Sequence, residues 1–445
     1  MTTMAMRLCY QIHRWVSLVC ALFFLMLTLT GLPMLFRDEL RAWNTVNLPA
    51  ASDPLPQGEI WQALPEGFST VAARFPGKEI RAVTPNPADG TLYFLVQDKG
   101  SKTAERAHMR MGGEQIMYDV RTGEIFNRKE RVYHVQGIET MLRWAHLLHT
   151  QLGTAGMAGK HFLALMCLLA ILSMISGVIL YAPMMKGLAF GTIRKNARRV
   201  LWSDWHKYVS AIALVWALVL CLSAVFIASY SVGSRNYHRD AHIAAMEAFS
   251  SYVPFGIPIT PEDALLRVQN AYPDKNILTM SLPERDHGHY TFHIADPPAK
   301  PTNFVLDEMV FLPDDRGAEP LLVPPPDWLR MTPIFLNLHI HNHDTIPLKI
   351  IWAAMLLLTA AMIVTGCVLL WTRKYNAVYP NAPKAVRRIG ASIWRAPVLI
   401  AVLSVIGLFA PITGGIGNIV GVLALGLPVV YFFYSLVRMN HDHRT

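Results

Sequence analysis

Apolar residues along this 445-residue chain gather into six runs: Ile12 to Phe36, Phe162 to Pro183, Tyr208 to Tyr230, Ile350 to Trp371, Ala396 to Pro411 and Ile416 to Val437. A helix needs roughly 20 apolar residues to cross a ~30 Å hydrocarbon layer, so the longer runs predict membrane spans. The fifth run is short and contains Gly407; with the sixth it predicts a tight hairpin around Thr413-Gly414-Gly415. Two long polar stretches interrupt the series, and there the pattern changes. Glu59 to Phe75 reads as a helix, and alternation predicts strands at Glu79 to Val83 and Thr91 to Gln97, split by a turn at Asn86-Pro87-Ala88-Asp89-Gly90. In the second stretch Pro261 to Ala271 is helical, with Thr260 as its cap.

The two polar stretches repeat their landmarks in one order. Tyr272-Pro273-Asp274-Lys275-Asn276-Ile277 mirrors Phe75-Pro76-Gly77-Lys78-Glu79-Ile80, Gly288-His289-Tyr290-Thr291-Phe292 answers Gly90-Thr91-Leu92-Tyr93-Phe94, and both close on an aspartate, Asp98 and Asp296. Matching landmarks in one order indicate duplication. The predicted fold is a mostly α membrane protein. Its four-helix transmembrane core comes from two parallel repeats, and two C-terminal spans and two α+β domains outside the membrane are added to it. The spans fall in residues 1–36, 155–183, 206–230 and 350–372, and the α+β segments in 37–154 (with an amphipathic end) and 231–349. Loops at 184–205 and 373–395, a hairpin at 396–437 and a tail at 438–445 complete the chain.

Composition agrees with this class, since 53% hydrophobic and 16% charged residues exclude a disordered or ordinary soluble chain. Lys186, Arg194, Lys195, Arg198 and Arg199 after the second span, and Arg373, Lys374, Lys384, Arg387 and Arg388 after the fourth, lie on one side with Arg7, Arg14 and the tail. By the positive-inside rule both termini are then cytoplasmic and the α+β segments are exported. The net charge of +9 is mostly this bias and implies no nucleic-acid partner. Of the five cysteines, Cys20, Cys167, Cys221 and Cys367 lie in apolar runs and Cys9 just before one, so neither a disulfide framework nor a thiol metal site is expected.

Histidines recur at the span ends: His13 before the first, Asp204-Trp205-His206-Lys207 before the third, His149 and His161 before the second, and His339, His341 and His343 before the fourth. The repeat pairs His13 with His206 at one face and His149 with His339 at the other. Two imidazoles facing across a pseudo-two-fold axis in a bundle suit a planar macrocycle with two axial positions, and no Cys-x-x-Cys-His is present to attach it covalently. Two such sites would lie under ~30 Å apart, a distance two cofactors could divide for stepwise electron transfer. His146, His161, His341 and His343 compete with His149 and His339 for the outer site. Arg14, Arg143 and Lys207 are candidate propionate partners, or else simple topogenic charge. Asp204 could orient His206, but capping the third span is its simpler role. Trp15, Trp144 and Trp205 read as interfacial residues. His287, His289 and His293 share one strand face, more simply a solvated edge than a metal or chelate contact.

The residues His13-Arg14-Trp15, Thr30-Gly31, Leu148-His149, Leu152, Gly156 and Ser176-Gly177 carry a resemblance that continues in the second half. There Asp204-Trp205-His206-Lys207, Leu338-His339, Lys349, Trp352, Thr365-Gly366 and Trp371 take part. In this order the chain, from about Arg7 to Lys374, resembles the PepSY-associated transmembrane family, which includes haem-containing siderophore-iron reductases of the bacterial inner membrane. The resemblance implies two PepSY-like periplasmic domains and a di-haem b bundle that moves electrons outward to a ferric siderophore or other iron chelate. The axial ligands it implies are His13, His206, His149 and His339. The chain departs from the pattern in its two added spans and in the His339-Ile340-His341-Asn342-His343 cluster. No Gly-x-Gly-x-x-Gly follows a predicted strand, so reductant is expected from a membrane quinone or a cytoplasmic donor. The alternatives are a non-redox PepSY protein that binds a peptide or peptidase, and an accessory subunit of an iron-substrate transporter. A haem spectrum separates the first of these from a ferric reductase.

Overall fold

The computed structural model of the protein describes residues 3–44, 54–99, 113–127, 136–195, 197–283, 288–298, 304–340, 345–371 and 391–441. The chain opens with α1 (Thr3–Leu35) and turns straight into a short polar helix, α2 (Arg37–Asn44). The first polar stretch holds α3 (Gln57–Gln62), α4 (Leu64–Arg74), β1 (Lys78–Asn86), β2 (Thr91–Asp98), β3 (Glu114–Asp119), β4 (Ile125–Asn127) and α5 (Gln136–Gln151). The single helix expected from Glu59 to Phe75 is therefore two helices. Pro65, in the first turn of α4, lacks the N–H that would continue the ladder of α3, and the chain breaks at Ala63.

After α6 (Gly156–Met184) and α7 (Arg198–Phe249), the second stretch holds α8 (Pro261–Ala271), β5 (Asn276–Ser281), β6 (His289–Ala295), β7 (Glu308–Pro313), β8 (Leu321–Val323), α9 (Asp327–Arg330) and α10 (Thr332–Ile340). Thr260 caps α8, its side chain accepting from the Asp263 N–H. Then come α11 (Ile346–Trp371), α12 (Arg395–Phe409) and α13 (Ile416–His441). A turn over Ala410–Thr413 and two left-handed glycines, Gly414 (φ 69) and Gly415 (φ 51), fold α13 back on α12. Gly407 allows their close approach, since a Cβ there would stand 2.5 Å from Leu425 Cγ.

Six of these helices are long and apolar enough to cross a membrane. They leave large apolar side chains such as Leu18, Leu22, Leu168, Ile175, Leu399 and Leu423 exposed. Such a belt would drive aggregation in water and is at home among lipid tails. α1 packs against α6 and α11, and α7 packs against the same two, so the four close into a ring; α12 lies on α7 and α13 on α11.

The span expected to end at Tyr230 instead runs on to Phe249. No proline interrupts α7, whose 52 residues rise roughly 78 Å at ~1.5 Å per residue. The outward part is amphipathic: Tyr237, Ala241 and Ala245, four residues apart on one face, bury against Met309 and Phe311 of β7.

Among the described residues, eight strands form one antiparallel sheet in the order β4-β3-β2-β1-β5-β6-β7-β8. The two separate domains expected from 37–154 and 231–349 thus share a sheet whose halves mirror each other about the β1–β5 seam. The seam is short, pairing Ala82 with Ser281 and Val83 with Met280. It is reinforced by the Thr84–Thr279 hydroxyl contact of 3.1 Å and by the Trp61 indole, which donates from the first half to the Ile277 carbonyl of the second. Joining β1 to β5 removes two exposed strand edges at once. A single apolar core, from Ile60 and Phe94 to Phe292 and Leu312, runs beneath both halves.

Candidate functional site

Inside the ring the structure brings four of the candidate histidines into two pairs. His13 and His206 face each other with ring centres 6.4 Å apart, and His149 and His339 with ring centres 6.0 Å apart; both pairs are tilted by 56°. Along α7 the order is His206, then Ser223, which holds His339, then the segment that packs on the sheet. His13 and His206 are therefore the sheet-distal pair, and His149 and His339 the sheet-proximal pair.

One device holds all four rings. Each Nδ1 lies against a serine or threonine hydroxyl of a neighbouring helix and against the backbone carbonyl three residues before it. His13 meets Ser176 Oγ (3.2 Å) and Ser173 O (2.9 Å), and His206 meets Thr365 Oγ1 (3.1 Å) and Met362 O (3.1 Å). His339 meets Ser223 Oγ (3.0 Å) and Leu220 O (3.2 Å), and His149 meets Thr30 Oγ1 (3.0 Å) and the Leu27 carbonyl. In a helix a hydroxyl bonds back to the carbonyl one turn earlier, as Ser176, Thr365, Ser223 and Thr30 all do, so the two acceptors present themselves together. A carbonyl can only accept, which places the proton on Nδ1 and leaves Nε2 as the nitrogen for an incoming metal.

Small residues let the rings lie against backbone. A Cβ at Gly177 would stand 3.1 Å from His13 Cε1, one at Gly366 3.2 Å from His206 Cε1, and one at Gly31 3.5 Å from His149 Cε1. Thr30-Gly31, Ser176-Gly177 and Thr365-Gly366 are thus each an anchor followed by a clearance. On α7 the corresponding dipeptide is Ser223-Ala224. Sequence reading did not mark Ser223, although its spacing was available: 13 to 30 and 206 to 223 are both 17 residues, about 25 Å along a helix.

A cavity of about 470 Å³ opens beside the distal pair, lined by His13, Arg14, Arg199, His206, Lys207 and Trp394 among others. Not all the cations named from sequence are available to it. Lys207 Nζ lies 2.7 Å from Oδ1 of the fully buried Asp204 carboxylate, whose Oδ2 accepts from Arg194 Nε at 2.9 Å. Asp204 therefore neither orients His206 nor caps the helix. α7 begins at Arg198, which puts Asp204 in its second turn, where it ties the preceding loop down. Arg14 lines the cavity with its guanidinium 4.8 Å over the Trp15 ring, whereas Arg143 is exposed.

Of the competitors for the proximal pair, His146 and His161 are exposed, and His341 and His343 lie outside the described residues. Trp15 and Trp144 are about half exposed, as interfacial tryptophans are, and Trp205 packs on Tyr208 and Phe432. The solvated edge expected for His289 and His293 is absent. β6 is an interior strand, His293 is buried, and His289 packs on His242 and Phe311; His287 lies outside the described residues. Sequence reading also missed His238 and His242, one turn apart on α7, because α7 was expected to end before them. His238 and His293 both contact Asp307. Burial pushes the Asp307 carboxyl upward, but its hydrogen bonds with His238 and His293 outweigh this and hold it well below the ordinary carboxylate range.

Among known proteins, the family described as PepSY-associated TM region matches residues 10–374. No curated protein matches the sequence.

Proposed function

The chain belongs to the PepSY-associated TM family, and from that premise we propose that it is a b-type di-haem oxidoreductase of the bacterial inner membrane. It takes electrons from a membrane quinone or a cytoplasmic donor and delivers them to ferric iron in a siderophore or other chelate in the periplasm. The sheet would then be periplasmic and both termini cytoplasmic.

The observation that carries this reading is the pair of facing imidazole sites. Two imidazoles bound to one ion at roughly 2 Å each place their ring centres roughly 6 Å apart, and the two sites measure 6.4 Å and 6.0 Å. When bound, haem supplies a one-electron carrier at each site. The residues do the rest. The Nδ1–H bonds to Ser173 O, Met362 O, Leu220 O and Leu27 O fix the tautomer, aim Nε2 and raise its basicity. Arg14 and Arg199 are the cations open to a propionate at the distal site, because Lys207 is committed to Asp204. Hard oxygen donors hold ferric iron far better than ferrous, so one-electron reduction loosens the chelate.

The experiment is haem content per chain with an absorption spectrum of the purified protein. Two haems with low-spin bands are expected. A colourless protein with its spans intact overturns the proposal and favours a plain membrane anchor for a peptide-binding sheet.

A further inference from the structure

Away from the bundle, α7 meets the sheet across a row of imidazoles. His238 and His242 face His293 and His289 of β6, with ring centres 5.4 Å and 6.0 Å apart. At the first of these contacts a carboxylate joins them. Asp307, just before β7, accepts from His293 Nδ1 at 2.5 Å with the same oxygen, Oδ2, that lies 3.3 Å from His238 Nε2. One potential ligand atom from each of the three residues falls within 4.8 Å of the others.

Two imidazoles and a carboxylate converging from different elements form a donor set suited to first-row divalent metals. Three protein ligands also leave a position for water or a further ligand, as in open zinc sites. The side chains are shielded but not sealed: His293 is 10% exposed, Asp307 18% and His238 26%. An ion can therefore enter from the His238 side. Tetrahedral ligands at about 2.1 Å from a metal stand roughly 3.4 Å apart, so closing the cluster asks for a modest swing of the His238 ring, the most exposed of the three. His238 comes from the helix and the other two from the sheet, which makes this the point where one ion would lock α7 to the sheet.

We propose that His238, His293 and Asp307 bind one divalent first-row transition-metal ion at the seam between α7 and the sheet. This site does not depend on what the bundle holds.

Purified full-length protein, stripped with a chelator and then dialysed against Zn²⁺ alone, provides the test through zinc per chain. The wild type should hold one zinc more than Asp307→Asn or His293→Gln, and His238→Gln should weaken that zinc at least tenfold. His242→Gln, one turn away, should keep it, and His238→Cys should restore binding, because a thiolate is also a zinc ligand. Thermal unfolding followed by circular dichroism supplies the second measurement: Zn²⁺ should raise the transition of the wild type and of His238→Cys but not of His238→Gln. If Asp307→Asn fails to fold, the partly exposed His238 variants decide the matter. Equal zinc content in wild type and His238→Gln, or no shift in the wild-type transition, overturns the proposal.

Discussion

The two histidine pairs use the same anchors but differ in what carries them. His13 and His206 stand on helices that themselves form the ring, α1 and α7, and both anchoring hydroxyls, Ser176 and Thr365, are followed by glycine. His149 and His339 stand on α5 and α10, shorter helices that follow the sheet in each half, and their anchors are followed by Gly31 and Ala224. Each half thus holds its distal histidine on a spanning helix and its proximal histidine on a separate helix that follows the strands in the chain. A parallel contrast lies between the halves. Phe23 and Phe162 meet edge to face at 4.9 Å in the first half, and Trp216 and Trp352 at 5.6 Å in the second. Phe23 and Trp216 each follow a distal histidine by ten residues (13 to 23, 206 to 216). The two halves thus place an aromatic contact at corresponding positions but build it from different side chains.

The strongest way to break this comparison is to remove distal ligands one at a time. His13→Ala and His206→Ala should each lower haem from two per chain to one and abolish the same absorption component, read by difference spectra. If they deplete different components, the pairing across the ring is wrong. Next in size is the proximal pair. His149→Ala or His339→Ala should leave the distal component in place yet slow reoxidation of the reduced protein at least tenfold. The measurement is stopped-flow absorbance, with a ferric siderophore added on the sheet side of oriented vesicles. Reoxidation as fast as wild type would separate the proximal pair from the substrate.

The glycines sharpen the contrast at smaller scale. Gly177→Ala and Gly366→Ala put a Cβ at 3.1 Å and 3.2 Å from a ring, so they should lower distal haem occupancy severalfold on titration. Gly31→Ala, at 3.5 Å, should cost the proximal site little, and the reverse ranking would mean that ring clearance does not limit these sites. The smallest expected effect comes from the hydroxyls. Thr365→Val and Ser223→Ala remove one acceptor of Nδ1 but leave the carbonyl, so each should cost about 1 kcal/mol or less, the usual net worth of one hydrogen bond. Potentiometric titration should register this as a small shift confined to the distal component for Thr365→Val and to the proximal one for Ser223→Ala.

Much of the architecture was legible along the chain because hydrophobic length and landmark order are local properties. The six apolar runs became six membrane-capable helices, the hairpin turned at Gly414-Gly415, and the duplicated landmarks became β1–β2 and β5–β6. Spacing also led to His13 with His206 and His149 with His339, because a repeat carries equivalent residues to equivalent places. β4 and β8 were not legible, being three residues each and too short for alternation to register.

What only the folded chain decided was the choice among chemically equal candidates. His146 and His149 lie three residues apart on α5, and the rotation of that helix against α1 alone gives His149 to Thr30 and leaves His146 exposed. Lys207 could be read as a cofactor cation until burial next to Asp204 committed it, since an unpaired charge there would be costly. The joining of two repeats into one sheet, and the meeting of His238 with His293 and Asp307, depend on which edge pairs with which and on how far α7 continues. Those outcomes rest on contacts between residues scores of positions apart, which no local pattern of hydrophobic and polar residues encodes.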